Sequence, residues 1–173
     1  MAVYEQHSHE LEPIYDENSR ILILGSFPSV KSREVSFYYG HPQNRFWKVI
    51  SAVFGEALPE SVEEKTEFLR RNHIALWDVI ESCEISGSSD SSIRNVVPTD
   101  LNRVLSAAKI EKIFINGSTA ARLYDKYQRK EILVEAVRLP STSPANATWK
   151  LDRLTAEWMK NISGIKNERT VTE

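Results

Sequence analysis

Four short apolar segments without polar alternation constrain the fold of this chain more than any other feature. The first, at 21–24, reads Ile-Leu-Ile-Leu, which is typical of a parallel strand buried on both faces. Similar segments at 74–79, 112–116 and 132–139 are separated by stretches in which apolar residues recur at helical spacing. Because right-handed crossovers place helices on both faces of such a sheet, we predict a three-layer α/β/α fold with a central four-stranded parallel sheet.

The composition indicates one globular domain. The 173 residues are 41% hydrophobic and 27% charged, and they contain neither an apolar run long enough to cross a bilayer nor a signal-peptide pattern. The single cysteine, Cys83, excludes an internal disulfide and is assigned to packing. We expect a cytoplasmic monomer with an acidic N-terminal segment at 1–18, one domain at 19–163 and a disordered tail at 164–173.

Motifs exclude several common chemistries. Neither Gly-x-x-x-x-Gly-Lys-Ser/Thr nor Gly-x-Gly-x-x-Gly follows the first strand, which argues against nucleotide hydrolysis and dinucleotide binding. The histidines are not spaced with Cys83 as metal ligands, and His7 and His9 are interpreted as part of a solvated acidic tail. We therefore expect no metal and no cofactor.

Small or polar residues follow all four predicted strands, at 25–29, Asp78, Asn116 and 140–146. The carboxyl ends of parallel strands meet at one edge of a sheet, and ligands of open α/β sheets bind there. We therefore expect these residues to form one site at the carboxyl ends of the strands, which we call the mouth of the sheet.

The segment 37–47 adds aromatic, amide and cationic groups just before a predicted helix at 44–54. Such groups can stack on bases, bond their edges and pair with phosphate. Phe46 and Trp47 are expected to lie in the core, whereas Asn44 either caps the helix or faces a ligand.

Three blocks together resemble the uracil-DNA glycosylase superfamily. They are Gly-Ser-Phe-Pro-Ser at 25–29, Tyr-Gly-His-Pro-Gln-Asn-Arg-Phe-Trp at 39–47 and Pro-Ser-Thr-Ser-Pro-Ala-Asn at 140–146. They are most similar to the hypoxanthine-DNA (deoxyinosine) glycosylase branch, and the second block also resembles mismatch-specific uracil glycosylases. The resemblance implies a monofunctional DNA repair enzyme, nucleoid-associated in a prokaryote. Such an enzyme flips a damaged base from double-stranded DNA, with single-stranded DNA as an open alternative, and hydrolyses its N-glycosidic bond.

The resemblance also implies roles for individual residues. The first-strand position that holds Asp or Asn in older branches is Phe27 here, and Asn44 matches the amide that positions the water instead. An amide positions water but does not deprotonate it. Tyr39 is expected to stack on the base, Asp78 to accept from N1–H of hypoxanthine and Asn116 to hold its O6. The residues with an implied base-binding role are Ser26, Phe27, Tyr39, Asp78 and Asn116.

The loop at 141–146 resembles the superfamily's second motif, which enters the duplex. Its hydroxyl and amide groups suit phosphate binding. We expect Ala145 to pass into the minor groove and Asn146 to bond the widowed base. Relatives often place a His near the start of this loop, where Ser141 or Ser143 stands here. The residues expected to contact DNA are Ser29, His41, Arg45, Ser141, Thr142, Ser143, Pro144, Ala145, Asn146 and Lys150.

Other functions remain open from the sequence. Phe27 and Asp78 favour hypoxanthine over uracil as the base removed, whereas the block around Asn44 is shared by both branches. A non-catalytic module that binds damaged DNA would keep Tyr39 and the loop at 141–146 but would not need Asn44. A small-molecule α/β hydrolase is disfavoured because no Ser/His/acid set stands in a plausible order.

Overall fold

The computed structural model describes residues 2–87 and 90–170, in which seven strands and six α-helices are formed. The strands are β1 (Glu5–Ser8), β2 (Ile21–Gly25), β3 (Ile74–Asp78), β4 (Ile80–Ile85), β5 (Arg94–Pro98), β6 (Lys112–Asn116) and β7 (Ala136–Leu139). The helices are α1 (Val30–Val35), α2 (Phe46–Phe54), α3 (Val62–Arg71), α4 (Asn102–Leu105), α5 (Ser118–Tyr127) and α6 (Leu151–Thr170).

The central sheet is parallel and has the strand order β3-β2-β6-β7. Ile21 of β2 pairs with Ile74 of β3 on one side and with Lys112 of β6 on the other. Every residue of β2 and of β3 is buried, as expected for strands that are covered on both faces. The predicted four-stranded parallel sheet flanked by helices is confirmed.

Strand β7 begins later than predicted. The sequence predicts a strand from residue 132, whereas the ladder with β6 starts at Ala136. A 3-10 turn at Arg129–Glu131 precedes it, and Leu133 is fully exposed. These residues lead up to the sheet edge but do not pair with it.

A second, antiparallel sheet of order β1-β4-β5 occupies regions where no strand was predicted. The N-terminal segment supplies β1, with Glu5 opposite Ile85. Strand β4 ends at Ile85 and strand β5 begins at Arg94. The pairing of β4 with β5 shifts register twice, and such bulges break the alternation that identifies a half-exposed strand. Cys83 is buried in β4, which confirms its assignment to packing.

Helix α2 carries the aromatic block into the core. Phe46 is 0% exposed and Trp47 is 5% exposed, so both rings are core residues as predicted. Helix α2 packs on α6, where Phe46 meets Trp158 edge to face with ring centroids 6.0 Å apart. The indole Nε1 of Trp158 donates to the carbonyl of Pro140 at 2.9 Å. This bond fixes α6 against residues 140–150, which we call the β7–α6 loop.

Helix α6 extends to Thr170. The predicted tail at 164–173 therefore overlaps the helix, and its last three positions lie outside the described residues. Across residues 2–87 and 90–170, no helix combines the length and apolar character needed to cross a membrane.

Candidate active site

The carboxyl ends of β2, β3 and β6 form the mouth of the central sheet. The chain passes from β2 to β3 on one side and later returns on the other side as β6, so the strand order reverses between β2 and β6. Ligands of open α/β sheets bind at such a reversal. Gly25, Asp78 and Asn116 are the last residues of these three strands. The structure thus brings together three positions that the sequence placed at the mouth.

A hydrogen-bond network joins Asn44 to Asn116 through Thr142. The Thr142 hydroxyl donates to Asn44 Oδ1 at 2.9 Å and accepts from Asn116 Nδ2 at 3.0 Å. The Thr142 backbone N–H donates to Asn116 Oδ1 at 3.0 Å. Residues that are far apart in the sequence are thereby locked at the strand ends.

Asn44 combines the two roles that the sequence left open for it. Its Oδ1 also accepts the backbone N–H of Phe46 at 2.9 Å, so the side chain caps the first turn of α2. Both acceptor positions of Oδ1 are then occupied. Within the described residues, Asn44 Nδ2 makes no hydrogen bond. The half-buried side chain therefore offers a fixed N–H donor at the mouth.

Thr142 and Arg45 both have structural roles, and the DNA contact predicted for Arg45 stays a prediction. Thr142 is 0% exposed and cannot reach a phosphate, so the DNA contact predicted for Thr142 is wrong. The Arg45 guanidinium donates to backbone carbonyls of the β7–α6 loop: those of Thr142 at 3.4 Å, Ser143 at 2.9 Å and Asn146 at 3.2 Å, together with that of Trp149. A planar fork of five N–H groups suits this task. Arg45 therefore holds the loop.

The β7–α6 loop is folded at its base and exposed at its tip. Ser141 Oγ accepts the N–H of Ser143 at 3.1 Å, and Ser143 Oγ accepts the N–H of Ala145 at 3.2 Å. Asn146 Nδ2 donates to the Ser141 carbonyl at 3.0 Å. Pro144 and Ala145 are exposed. These local bonds leave a small, rigid tip beside the mouth.

Tyr39 lies at the mouth in a rare backbone conformation, with φ of 54°. Its ring stacks on Phe46, with centroids 4.0 Å apart and an interplanar angle of 19°, so one face is covered. Its buried hydroxyl oxygen faces the Asn116 side chain, a hydrogen-bond contact that acts to lower the tyrosine pKa, and a Cβ added at Gly25 would lie 3.3 Å from it. Burial, and then the charge of Asp78, raise the pKa of Tyr39. The hydroxyl therefore stays protonated as a free donor.

The Asp78 carboxylate is held by a histidine of the N-terminal segment. His9 Nε2 lies 2.7 Å from Asp78 Oδ2, and the two side chains are 1% and 6% exposed. The prediction that His9 belongs to a solvated tail is wrong, because its ring packs near Phe27 and Tyr38, with centroids 5.8 and 6.2 Å away. The other oxygen, Oδ1, lies beside Gly25, where an added Cβ would be only 2.5 Å from it.

The other predicted residues surround this mouth. Ser29 caps α1 through its hydroxyl, and the His41 ring accepts a backbone N–H two residues further on, at 3.1 Å. Ser26 and Phe27 are half-buried, whereas Lys150 is exposed immediately before α6. None of these contacts yet identifies a ligand.

A cavity of about 700 Å³ lies between α5 and β7, lined by Arg122, Asp125 and Arg138 among others. It contains none of the predicted site residues. In the part of the chain that the structure describes, no three His, Cys, Asp or Glu side chains converge as metal ligands would.

Sequence reasoning missed two functional positions and misjudged a third. His9 was assigned to solvent, although it follows His7 of β1 by two residues, the spacing that places two side chains on one face of an extended chain. Gly25 was placed at the mouth without a role of its own, and its missing side chain makes room for Asp78. Thr142 was expected to face DNA but is the centre of the amide network.

Comparisons with known proteins agree with one another. The family model described as the uracil DNA glycosylase superfamily matches residues 12–162. A protein of Methanosarcina acetivorans named hypoxanthine DNA glycosylase is 37% identical over 147 residues, which cover 84% of this chain and 91% of that protein. A protein of the same name from Methanosarcina barkeri is 42% identical over 84 residues, which cover 48% of this chain and 53% of that protein.

A solved structure shares the fold. The solution NMR structure of a candidate uracil DNA glycosylase from Methanosarcina acetivorans superposes with a TM-score of 0.75 at 34% sequence identity. The match covers 88% of this chain and 94% of that chain.

Proposed function

The chain belongs to the uracil DNA glycosylase superfamily, and from this premise we propose that it is a monofunctional DNA glycosylase that removes hypoxanthine from deoxyinosine. The reaction hydrolyses the N-glycosidic bond and leaves an abasic site. Two relatives named hypoxanthine DNA glycosylase, at 37% and 42% identity, support this choice of base.

The observation that carries the proposal is the placement of Asn44. Its Oδ1 is bonded to Thr142 and to the first turn of α2, which fixes the direction of its free Nδ2–H group. That group donates to a water oxygen and leaves a second lone pair of the water for the anomeric carbon. Because an amide does not take the water's proton at neutral pH, bond breaking must run ahead of water attack.

The reaction balances without a covalent enzyme intermediate. The C–N bond breaks first and gives a sugar with oxocarbenium character and an anionic base. The oriented water then forms the C–O bond, and its surplus proton passes to the departing base. The chain's contribution is to position the water and stabilise developing charge, both of which require groups that are already fixed.

A donor and an acceptor at the mouth match the edge of a deaminated purine. Asp78 Oδ1 makes no hydrogen bond within the described residues and can accept from N1–H of hypoxanthine. The Tyr39 hydroxyl and the second N–H of Asn116 Nδ2 can donate to O6. Adenine presents the opposite pattern, an acceptor at N1 and a donor at N6, so this pair selects against it. Phe27 forms an apolar wall beside them.

Uracil is the second candidate base, because its N3–H and O4 present the same donor and acceptor as hypoxanthine. The pocket edge alone does not separate the two. The smaller pyrimidine would leave more of the mouth unfilled, and we therefore expect deoxyinosine to be preferred over deoxyuridine.

The substrate that we propose is double-stranded DNA. The exposed tip at Pro144 and Ala145 enters the minor groove, while Asn146 lies behind it to meet the partner of the flipped base. All of these side chains come from one chain, so we also propose a monomer. A cytoplasmic location follows from DNA as the substrate.

A glycosylase assay tests the proposal. Duplexes with one deoxyinosine, deoxyuridine or deoxyxanthosine, and an undamaged duplex, are incubated with the protein and then treated with alkali to break abasic sites. We expect breaks at deoxyinosine, and a loss of about 10²–10³-fold for Asn44→Ala, as for other removed transition-state donors. Gln43→Ala removes an exposed amide at the neighbouring position and should leave the rate unchanged.

The possible outcomes separate the candidate functions. Intact strands for every lesion would reject the enzyme, and intact strands with tight lesion binding would support the non-catalytic module. Asn44→Ala cleaving like the wild type would remove the catalytic role of Asn44. Breaks at deoxyuridine alone would replace hypoxanthine by uracil.

A further inference from the structure

The N-terminal strand brings an imidazole into the mouth from outside the predicted site. Strand β1 pairs with β4 from Glu5 to Ser8, and the next residue, His9, continues the contact through its backbone N–H, which donates to the Glu81 carbonyl. The His9 side chain is then 1% exposed and lies 2.7 Å from Asp78 Oδ2. A residue of the acidic segment thus completes the surroundings of a base-contacting carboxylate.

The same strand also braces Phe27. The His9 ring meets Phe27 edge on, at an interplanar angle of 86°, and the Arg33 guanidinium lies 5.7 Å from the Phe27 ring centroid. Arg33 is in turn bonded to His7 Nδ1 at 2.6 Å. His9 thus contacts Asp78 and Phe27 directly. His7 contacts Phe27 indirectly, through Arg33.

We propose that His9 is a positioning residue for base recognition: its Nε2–H holds Asp78 Oδ2, and this directs Oδ1 to accept from the protonated ring nitrogen of the flipped base. The inference rests on the proposed function. It also makes the N-terminal segment part of the active site instead of an appendage to the domain.

The burial of the pair explains why a partner is needed. A carboxylate that is 6% exposed loses most of its hydration, and such a charge requires a bonded partner. Without His9, Asp78 would be free to rotate about its side-chain bonds and to turn Oδ1 away from the base. The ring contributes only through Nε2, because its Nδ1 is buried without a partner among the described residues.

Two amide substitutions separate the hydrogen bond from packing. A glutamine amide nitrogen reaches the place of His Nε2, whereas an asparagine amide nitrogen reaches only the place of Nδ1. His9→Gln should keep most of the rate of deoxyinosine excision measured in a single turnover with excess enzyme. His9→Asn should lose at least about tenfold, the usual value of a hydrogen bond to a charged group, with unchanged affinity for undamaged duplex. Circular dichroism checks that both variants fold. If His9→Asn does not fold, His9→Phe, which keeps the ring contacts but has no N–H donor, replaces it and should show the same loss.

A double substitution tests the route through Asp78. If His9 acts by orienting Asp78, His9→Asn combined with Asp78→Asn should excise no more slowly than Asp78→Asn alone. Equal rates for His9→Gln and His9→Asn, or additive losses in the double variant, would overturn the proposal. Absence of deoxyinosine excision by the wild type would instead refute the proposed function, so the two failures are distinguishable.

Discussion

Replacing Thr142 with valine tests the amide network that fixes Asn44. Valine keeps the shape of threonine but removes the hydroxyl that donates to Asn44 Oδ1 at 2.9 Å and accepts from Asn116 Nδ2 at 3.0 Å. Because Thr142 is 0% exposed, water cannot replace the lost partner. Each lost bond costs about 0.5–1.5 kcal/mol, so we expect about 1–3 kcal/mol less stability. For a chain of this size that lowers Tm by about 2–12 °C.

Thr142→Val should also lower the rate of excision, apart from its effect on stability. After Thr142→Val, Asn44 keeps only its bond to the N–H of Phe46, and its amide can turn away from the water. Misplacement of a reacting group by about 1 Å can cost about 100-fold in rate. We therefore expect single-turnover excision of deoxyinosine to fall by about 10–100-fold at a temperature where the variant is folded.

Thr142→Ser provides the matched control. It keeps the hydroxyl and removes one buried methyl group, which costs about 1 kcal/mol, a loss of stability equal to the lower end of that expected for Thr142→Val. Its excision rate should remain close to that of the wild type. Wild-type activity in Thr142→Val, or equal losses in the two variants, would show that the hydroxyl does not position Asn44.

Three further predictions follow from the contacts described above. Gly25→Ala would place a Cβ 2.5 Å from Asp78 Oδ1, so we expect excision of deoxyinosine to fall at least about tenfold with little change in duplex affinity, as measured by single-turnover rates and titration. Arg45→Lys should speed hydrogen exchange in the β7–α6 loop, because one ammonium cannot serve several carbonyls; exchange as slow as in the wild type would show that Arg45 does not hold this loop. Burial raises the pKa of Tyr38 and Tyr39, so above the ordinary tyrosine pKa of 10.0 these side chains ionise in the unfolded chain before they ionise in the folded protein. Their contribution to the free energy of unfolding is therefore fully present below that pH and falls above it. Urea midpoints that stay constant above that pH would contradict this.

The central sheet was predictable because its physical requirement is visible along the chain. A strand covered on both faces must be apolar at every position, and 21–24 satisfies this without help from distant residues. Strand β4 has one covered face and two register shifts, so its pattern resembles a polar loop. Strand β1 lies at an edge with mostly exposed side chains, and its acidic composition indicated solvent.

The mouth was predictable as a place, whereas the connections within it were not. Strand ends identify Asp78 and Asn116 because topology alone brings them together. The partner of Asp78 is 69 residues away, and Thr142 is 98 residues from Asn44. Such contacts depend on how loops are placed after the sheet has formed. Local pattern therefore could not distinguish a buried Thr142 from its exposed neighbours in the same loop.

If the β7–α6 loop enters the duplex as proposed, the hydrogen bonds from Arg45 to its carbonyls have a consequence for how a lesion is found. A loop whose carbonyls already accept hydrogen bonds loses little conformational entropy when it binds DNA. It also cannot change its shape to fit an intact double helix. The DNA double helix has to deform instead. A base pair opens at the lowest free-energy cost where its pairing is weak. A rigid loop would therefore select weakly paired positions before the mouth contacts the damaged base.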